Sequence, residues 1–177
     1  MTALARWHHK IHEIPRSGVS EHREAAKDLR TAFAEELGIP ACHKLITDYV
    51  IKNAGGGRFQ LNGTVTAVFE RQCVLTLEPI TEEVTEPLDC LFVPPELLPG
   101  PQSDEEEAHS VEEIEVIGTQ GIEVGRVIYE TVSAALDPYP RAPEASLELP
   151  AAKTGSETRQ NPFAVLKNLT DDRDAES

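Results

Sequence analysis

Between Phe59 and Leu77 the chain alternates with a period of two. Phe59, Leu61, Val65, Ala67, Phe69, Cys73, Leu75 and Leu77 share one parity, opposite Gln60, Asn62, Thr64, Thr66, Glu70, Gln72 and Thr76. Successive side chains of a strand point to opposite faces, so this stretch requires a sheet with one face in hydrocarbon and the other in water. Such one-sided burial belongs to antiparallel sheets, because parallel βαβ sheets are covered on both faces. The run is longer than a typical strand, and Gly63 or the polar pair Arg71-Gln72 is expected to bend, bulge or break it.

The flanking segments extend this pattern into a meander. Leu45 to Ile51 is rich in β-branched residues, and Asn53-Ala54-Gly55-Gly56-Gly57 after it is hairpin-turn chemistry. The glycines are no phosphate loop, since Arg58 opens a strand where a P-loop needs Gly-Lys-Ser/Thr at a helix mouth. Pro79 to Glu83 is expected to reverse the chain, and Val84, Leu88, Cys90 and Phe92 alternate in a returning strand. Ser20 reads as an N-cap for a helix placing Ala26, Leu29, Phe33 and Leu37 on one face, stopped by Gly38 and Pro40. Ile114 to Ile117 is strand-like, and Ile128, Val132 and Ala135 give helical spacing before Pro138. The fold class is therefore α+β. An N-terminal helix near 20–37 packs on an antiparallel sheet of 45–52, 58–78 and 83–93, which could close in a barrel-like way, and a second helix follows near 122–136.

Residues 1–140 are expected to form a single globular domain, with an acidic loop at about 96–112 inside it. Residues 141–160, rich in Pro, Ala, Ser, Glu and Thr, read as a flexible linker. Asn161 as N-cap and Pro162 at the first helical position open a short helix over 161–169. Its Phe163, Leu166 and Leu169 must find an apolar groove, on the chain's own body or on a partner, since two turns are unstable alone in water. An acidic tail, 170–177, closes the sequence.

Charge narrows the function classes. The net charge is −15, and it is unevenly spread: residues 1–53 hold eight Lys+Arg and seven Asp+Glu, whereas residues 54–177 hold eight against 24. That excludes a basic nucleic-acid clamp, because neutralising phosphates takes clustered Lys and Arg. The acidic body, and above all Asp104, Glu105, Glu106 and Glu107, suits a basic protein partner. If RNA is touched, the sequence places the contact on Arg23, Lys27 and Arg30, spaced along one helical stripe of the N-terminal third. His8, His9 and His12 raise a metal-dependent hydrolase as a third class. His8 and His12 have helical ligand spacing, but Glu13 completes no known signature, and the bland reading is an exposed polar segment.

No nucleophile elbow or acid/base pair is present, so no catalytic residue, cofactor or metal site is assigned. Three widely spaced cysteines, Cys42, Cys73 and Cys90, argue for reduced thiols rather than a disulfide framework. No stretch approaches the ~20 apolar residues of a membrane helix, and no secretory signal opens the chain. A cytoplasmic protein is expected.

Three segments, in this order, carry a resemblance. They are Gly63-Thr64-Val65-Thr66-Ala67-Val68 leading to Cys73-Val74-Leu75-Thr76-Leu77-Glu78-Pro79; Ile122 to Leu136 leading to Asp137-Pro138-Tyr139-Pro140-Arg141; and Asn161-Pro162-Phe163-Ala164-Val165-Leu166. Together they resemble the YceD family, the bacterial large ribosomal RNA subunit accumulation proteins. The resemblance implies an accessory factor for accumulation or processing of 23S rRNA and assembly of the large subunit, with no catalytic site. Its partner would be the large-subunit precursor or a basic assembly or processing protein. Many relatives carry Cys-x-x-Cys where this chain has Cys73 and Thr76, and some carry a later cysteine near Pro140. Here neither is present, so a four-ligand zinc site does not carry over.

Overall fold

Phe59, Leu61, Val65, Ala67 and Phe69 are all buried, and the polar residues between them are half-buried or exposed. The computed structural model describes residues 3–98 and 113–146. In chain order the elements are β1 (Val19–Glu24), α1 (Lys27–Leu37), β2 (Ala41–Gly55), β3 (Arg58–Gln72), β4 (Pro79–Val93), β5 (Glu113–Val116) and α2 (Val124–Ala135). They belong to the unit Met1–Ala145. The sheet runs in sequence order, β1 to β5. The first four strands pair antiparallel, and β5 joins β4 parallel. The class is thus α+β with a mixed sheet. Its edges do not pair with one another among the described residues, so there is no barrel.

Both helices cover the same face. Phe33 of α1 lies 6.3 Å from Phe69 of β3 and 6.1 Å, edge-on, from Tyr129 of α2. Leu45, Ile51, Leu61, Val65, Ile128 and Val132 fill the layer around them with no exposure. Each such side chain stabilises the fold by about 1.5–3 kcal/mol relative to water.

Three sequence expectations change. Residues 20–24 are strand, not helix: Ser20 caps nothing, and α1 begins after Ala26. β1 alternates half-buried and exposed residues and pairs Val19 with Ile51 through to Glu24 with Ile46. Without it the N–H and C=O groups along that side of β2 would lose their partners, and this outweighs the helical propensity of a charged segment. The second change is that β3 ends at Gln72 rather than 78, with the break at Arg71-Gln72 and not at Gly63. Gly63 instead leaves room beside Tyr49, whose Cβ a side chain there would strike. Residues 73–78 reverse the chain, so β4 starts at Pro79 and not after Glu83. Leu75 is half-buried, and Leu77, at φ +62°, is 65% exposed. The third is the N-terminal segment, which is not simply exposed: Leu4 and Trp7 are buried. The Gly125 N–H donates to Trp7 O at 2.8 Å, and any side chain at 125 would collide with Leu4 O. The second helix lies where its spacing puts it. Asp104 to Glu107, the helix with Asn161, Pro162, Phe163, Leu166 and Leu169, and the acidic tail lie outside the described residues.

Candidate functional site

A groove of about 820 Å³ lies between β4 and α2, lined by Glu86, Pro87, Asp89, Glu113, Glu130, Thr131, Ala134 and Ala135. Its walls come from three elements. β4 supplies Glu86 and Asp89 from opposite faces at its outer margin, β5 supplies Glu113, and α2 supplies Glu130 together with a floor of small side chains. Glu113, Glu115 and Glu130 bring carboxylate oxygens within 4.8 Å of one another. The Arg126 guanidinium explains how they tolerate this, since it lies 3.0 Å from Glu115 and 2.9 Å from Glu130. Burial still pushes the Glu115 carboxyl above its usual range, with Arg126 opposing and the neighbouring acids reinforcing the shift. No cation among the described residues pairs with Glu86, Asp89 or Glu113. Gln60 and Asn62 donate to Asp89 Oδ1 at 2.6 and 2.9 Å, fixing its orientation without neutralising it.

The sequence-nominated cations sit at the other end of the sheet and form no stripe. Arg23 is on β1, with its guanidinium 5.9 Å from the ring centres of both Trp7 and Tyr49. Lys27 is exposed at the first turn of α1, and Arg30 donates to Ala25 O at 2.8 Å. The helical spacing that would align the three fails because Arg23 precedes the helix.

The histidines are separated as well. His8 Nδ1 is 2.9 Å from Ala5 O, and His12 lies at a 3-10 turn beside Glu13. His9 Nε2 shares a 2.8 Å hydrogen bond with the Tyr49 hydroxyl, while the His9 backbone pairs with Ile122. Burial, then Arg23, lower the His9 pKa; burial raises that of Tyr49 to about 12. This is a neutral pair locking the N-terminal segment to β2. It is not a ligand set: the carboxylate trio above is the one cluster of three potential metal-ligating side chains among the described residues.

At the β3–β4 reversal, the Cys73 thiol is covered by the chain that follows α2. The Ala142 N–H donates to Cys73 Sγ at 3.3 Å, and the Val74 N–H donates to Pro140 O at 2.9 Å. The Thr76 side chain and then the Ala142 amide, each donating to the sulfur, lower its pKa to about 7. Cys42 and Cys90, buried without such donors at comparable strength, are pushed up to about 11 and about 12. Hydrogen atoms aimed at a single thiol do not fit a zinc ion, which needs several lone pairs converging on it.

An open five-stranded sheet, both helices on one face and an acidic groove beside β4 define an acidic α+β domain. The chain belongs to the YceD family: the model for large ribosomal RNA subunit accumulation protein YceD matches residues 61–170, from within β3 through α2 and beyond. No curated protein and no solved structure matches it. The family's name ties it to accumulation of the large-subunit rRNA. No helix among the described residues is long and apolar enough to cross a membrane.

The groove was not foreseen from the sequence. Glu86, Asp89, Glu113 and Glu130 look like scattered surface acids until β5 pairs parallel with β4. The only local signal is the spacing of Glu113 and Glu115 around Ile114.

Proposed function

We propose that this protein is an accessory factor for accumulation or processing of 23S rRNA and for assembly of the large ribosomal subunit in the cytoplasm. It acts by binding rather than by catalysis, and its partner is a basic assembly or processing protein or the large-subunit precursor. The observation that carries this reading is the family match over residues 61–170 in a chain of net charge −15. Such a surface repels bare RNA and steers basic proteins toward it. Direct RNA contact through Arg23, Lys27 and Arg30 has less support, since Arg23 and Arg30 are engaged within the domain.

The test is depletion of the protein, followed by comparison of large- with small-subunit rRNA and identification of what co-purifies with the tagged chain. A selective fall in large-subunit rRNA, with basic proteins recovered, is the expected result. Unchanged rRNA ratios would overturn the reading.

A further inference from the structure

We infer that the outer edge of β4 over Glu83–Asp89 is a docking strand for an extended, Lys/Arg-bearing segment of a partner protein. The segment adds to the sheet alongside β4, and its basic side chains enter the groove under α2. The inference rests on the basic-partner reading above and gives that partner a place.

The first observation is an incomplete edge. β4 pairs with β3 along its whole length, from Pro79 to Phe92, but among the described residues β5 covers only Cys90–Val93 on the other side. The Val93 carbonyl accepts from the Ile117 N–H, so it faces β5. Backbone groups alternate along a strand, and the β3–β4 register is unbroken, so Glu83, Thr85, Pro87 and Asp89 turn theirs to this side too. Among the described residues Glu83, Thr85 and Pro87 have no backbone partner there, and the β5 pairing begins at the Asp89 carbonyl, which leaves the Asp89 N–H open. Pro87 fits this placement, since proline is tolerated in a strand where its missing N–H faces an open edge. Thr85 and Asp89 then offer N–H donors on either side of it, with carbonyls between, which is the ladder a peptide completes by β-augmentation.

The second observation fixes the chemistry of the occupant. The groove beside this edge is lined by Glu86, Asp89, Glu113 and Glu130 and, among the described residues, by no lysine or arginine. At its inner end the chain's own Arg126 already lies between Glu115 and Glu130. A guanidinium or ammonium on the α2 side of the incoming strand would meet Glu86 and Glu113, which have no cation partner among the described residues. The small side chains of Ala134 and Ala135 leave width for the peptide backbone. Like-charged or apolar strands would leave these carboxylates desolvated and unpaired, which is costly.

The experiment titrates the isotope-labelled full chain, at low salt, with a synthetic ten-residue peptide alternating Lys and Val. The same peptide with Glu for Lys serves as the control. The Lys peptide is expected to shift the Glu83, Thr85 and Asp89 amides and to slow exchange of the Thr85 and Asp89 protons, while the Glu peptide does neither. Thr85→Pro removes one edge donor and is expected to weaken binding about tenfold or more. The double variant Glu86→Gln with Glu113→Gln is expected to weaken it and to flatten its salt dependence. Should Thr85→Pro fail to fold by circular dichroism, the double variant decides. No binding of the Lys peptide, shifts confined to the uncovered face of β1–β3, or wild-type affinity in the variants would overturn the inference. So would a dimer in sedimentation that Thr85→Pro abolishes, which would give the edge to a second copy of the chain. The titration reads the groove alone, so its failure leaves the rRNA role standing, whereas unchanged rRNA on depletion leaves the groove standing.

Discussion

β3 lies between two long partners and turns Phe59, Leu61, Val65, Ala67 and Phe69 into the helical layer, whereas β1, six residues long at the sheet's edge, turns Val19, Glu21 and Arg23 the same way. The inner strand is held by hydrocarbon, and its inward set is interchangeable in kind. The edge strand is held by particular chemistry. Arg23 has value there only because Trp7 arrives from the N-terminus and Tyr49 from β2 to cover it. Edge strands carrying inward charge resist pairing with other chains, at the expense of needing a specific cover. β5, four residues long at the opposite edge, repeats the arrangement with Arg126 between Glu115 and Glu130.

The contrast breaks most visibly at Val65 and Thr66. Val65→Asp buries an unpaired carboxylate in the centre of β3 and is expected to cost about 4 kcal/mol or more, enough to unfold the domain. Thr66→Asp, one residue along and on the opposite face, is expected to cost less than about 1 kcal/mol. Urea denaturation of the two proteins measures the difference, and equal losses would mean that β3 has no hydrocarbon face.

At the edge the effects are smaller and depend on partners. Trp7→Ala is expected to cost about 3 kcal/mol through lost burial. Arg23→Met keeps the aliphatic stem and loses only the cation, for about 1 kcal/mol. In the Trp7→Ala background that second loss should shrink, and a double-mutant cycle by thermal or urea unfolding reads the coupling. Strict additivity would separate the guanidinium from the indole.

Acid sharpens the comparison further. The folded-state pKa of His9 lies below 6.5, because burial and Arg23 disfavour its cation. The unfolded chain therefore takes up the proton first as pH falls. The contribution of His9 to stability is complete above pH 6.5, declines below it, and is lost once pH passes the lower folded value. A stability–pH profile should fall through this window in the wild type and flatten there in His9→Gln. A slope unchanged by that substitution would show that the His9–Tyr49 pair does not titrate with unfolding.

The smallest expected effect lies where the meander turns. Leu77 holds a left-handed backbone and exposes most of its side chain. Leu77→Asn, with a residue that adopts this conformation more readily, is expected to raise stability by roughly 0.5 kcal/mol in urea melts.

These differences also mark how far the sequence could be read. The inward parity of β3, the glycine hairpin at its start and the second helix were legible because each is a local pattern that burial reinforces. β1 was misread, since a strand whose inward residues are Glu21 and Arg23 carries the composition of a helix's solvent face, and Trp7 and Tyr49 lie far from them in the chain. The end of β3 was overrun because Leu75 and Leu77 keep the right parity after Arg71-Gln72 while the backbone has already turned. The nominated cations Arg23, Lys27 and Arg30 fell with the helix that was to align them. The acidic groove could not be read locally, for its carboxylates come from three elements brought together by one parallel pairing.

That the His9 backbone pairs with Ile122 also sets an order of events during synthesis. Leu4 and Trp7 leave the ribosome early, but the glycine they pack against, Gly125, is made roughly a hundred residues later. At about 5–20 residues per second, this segment waits on the order of ten seconds for its seat. During that interval the meander can zip from neighbouring hairpins while an indole and a leucine stay uncovered. Among the described residues, the first synthesised are thus among the last to fold.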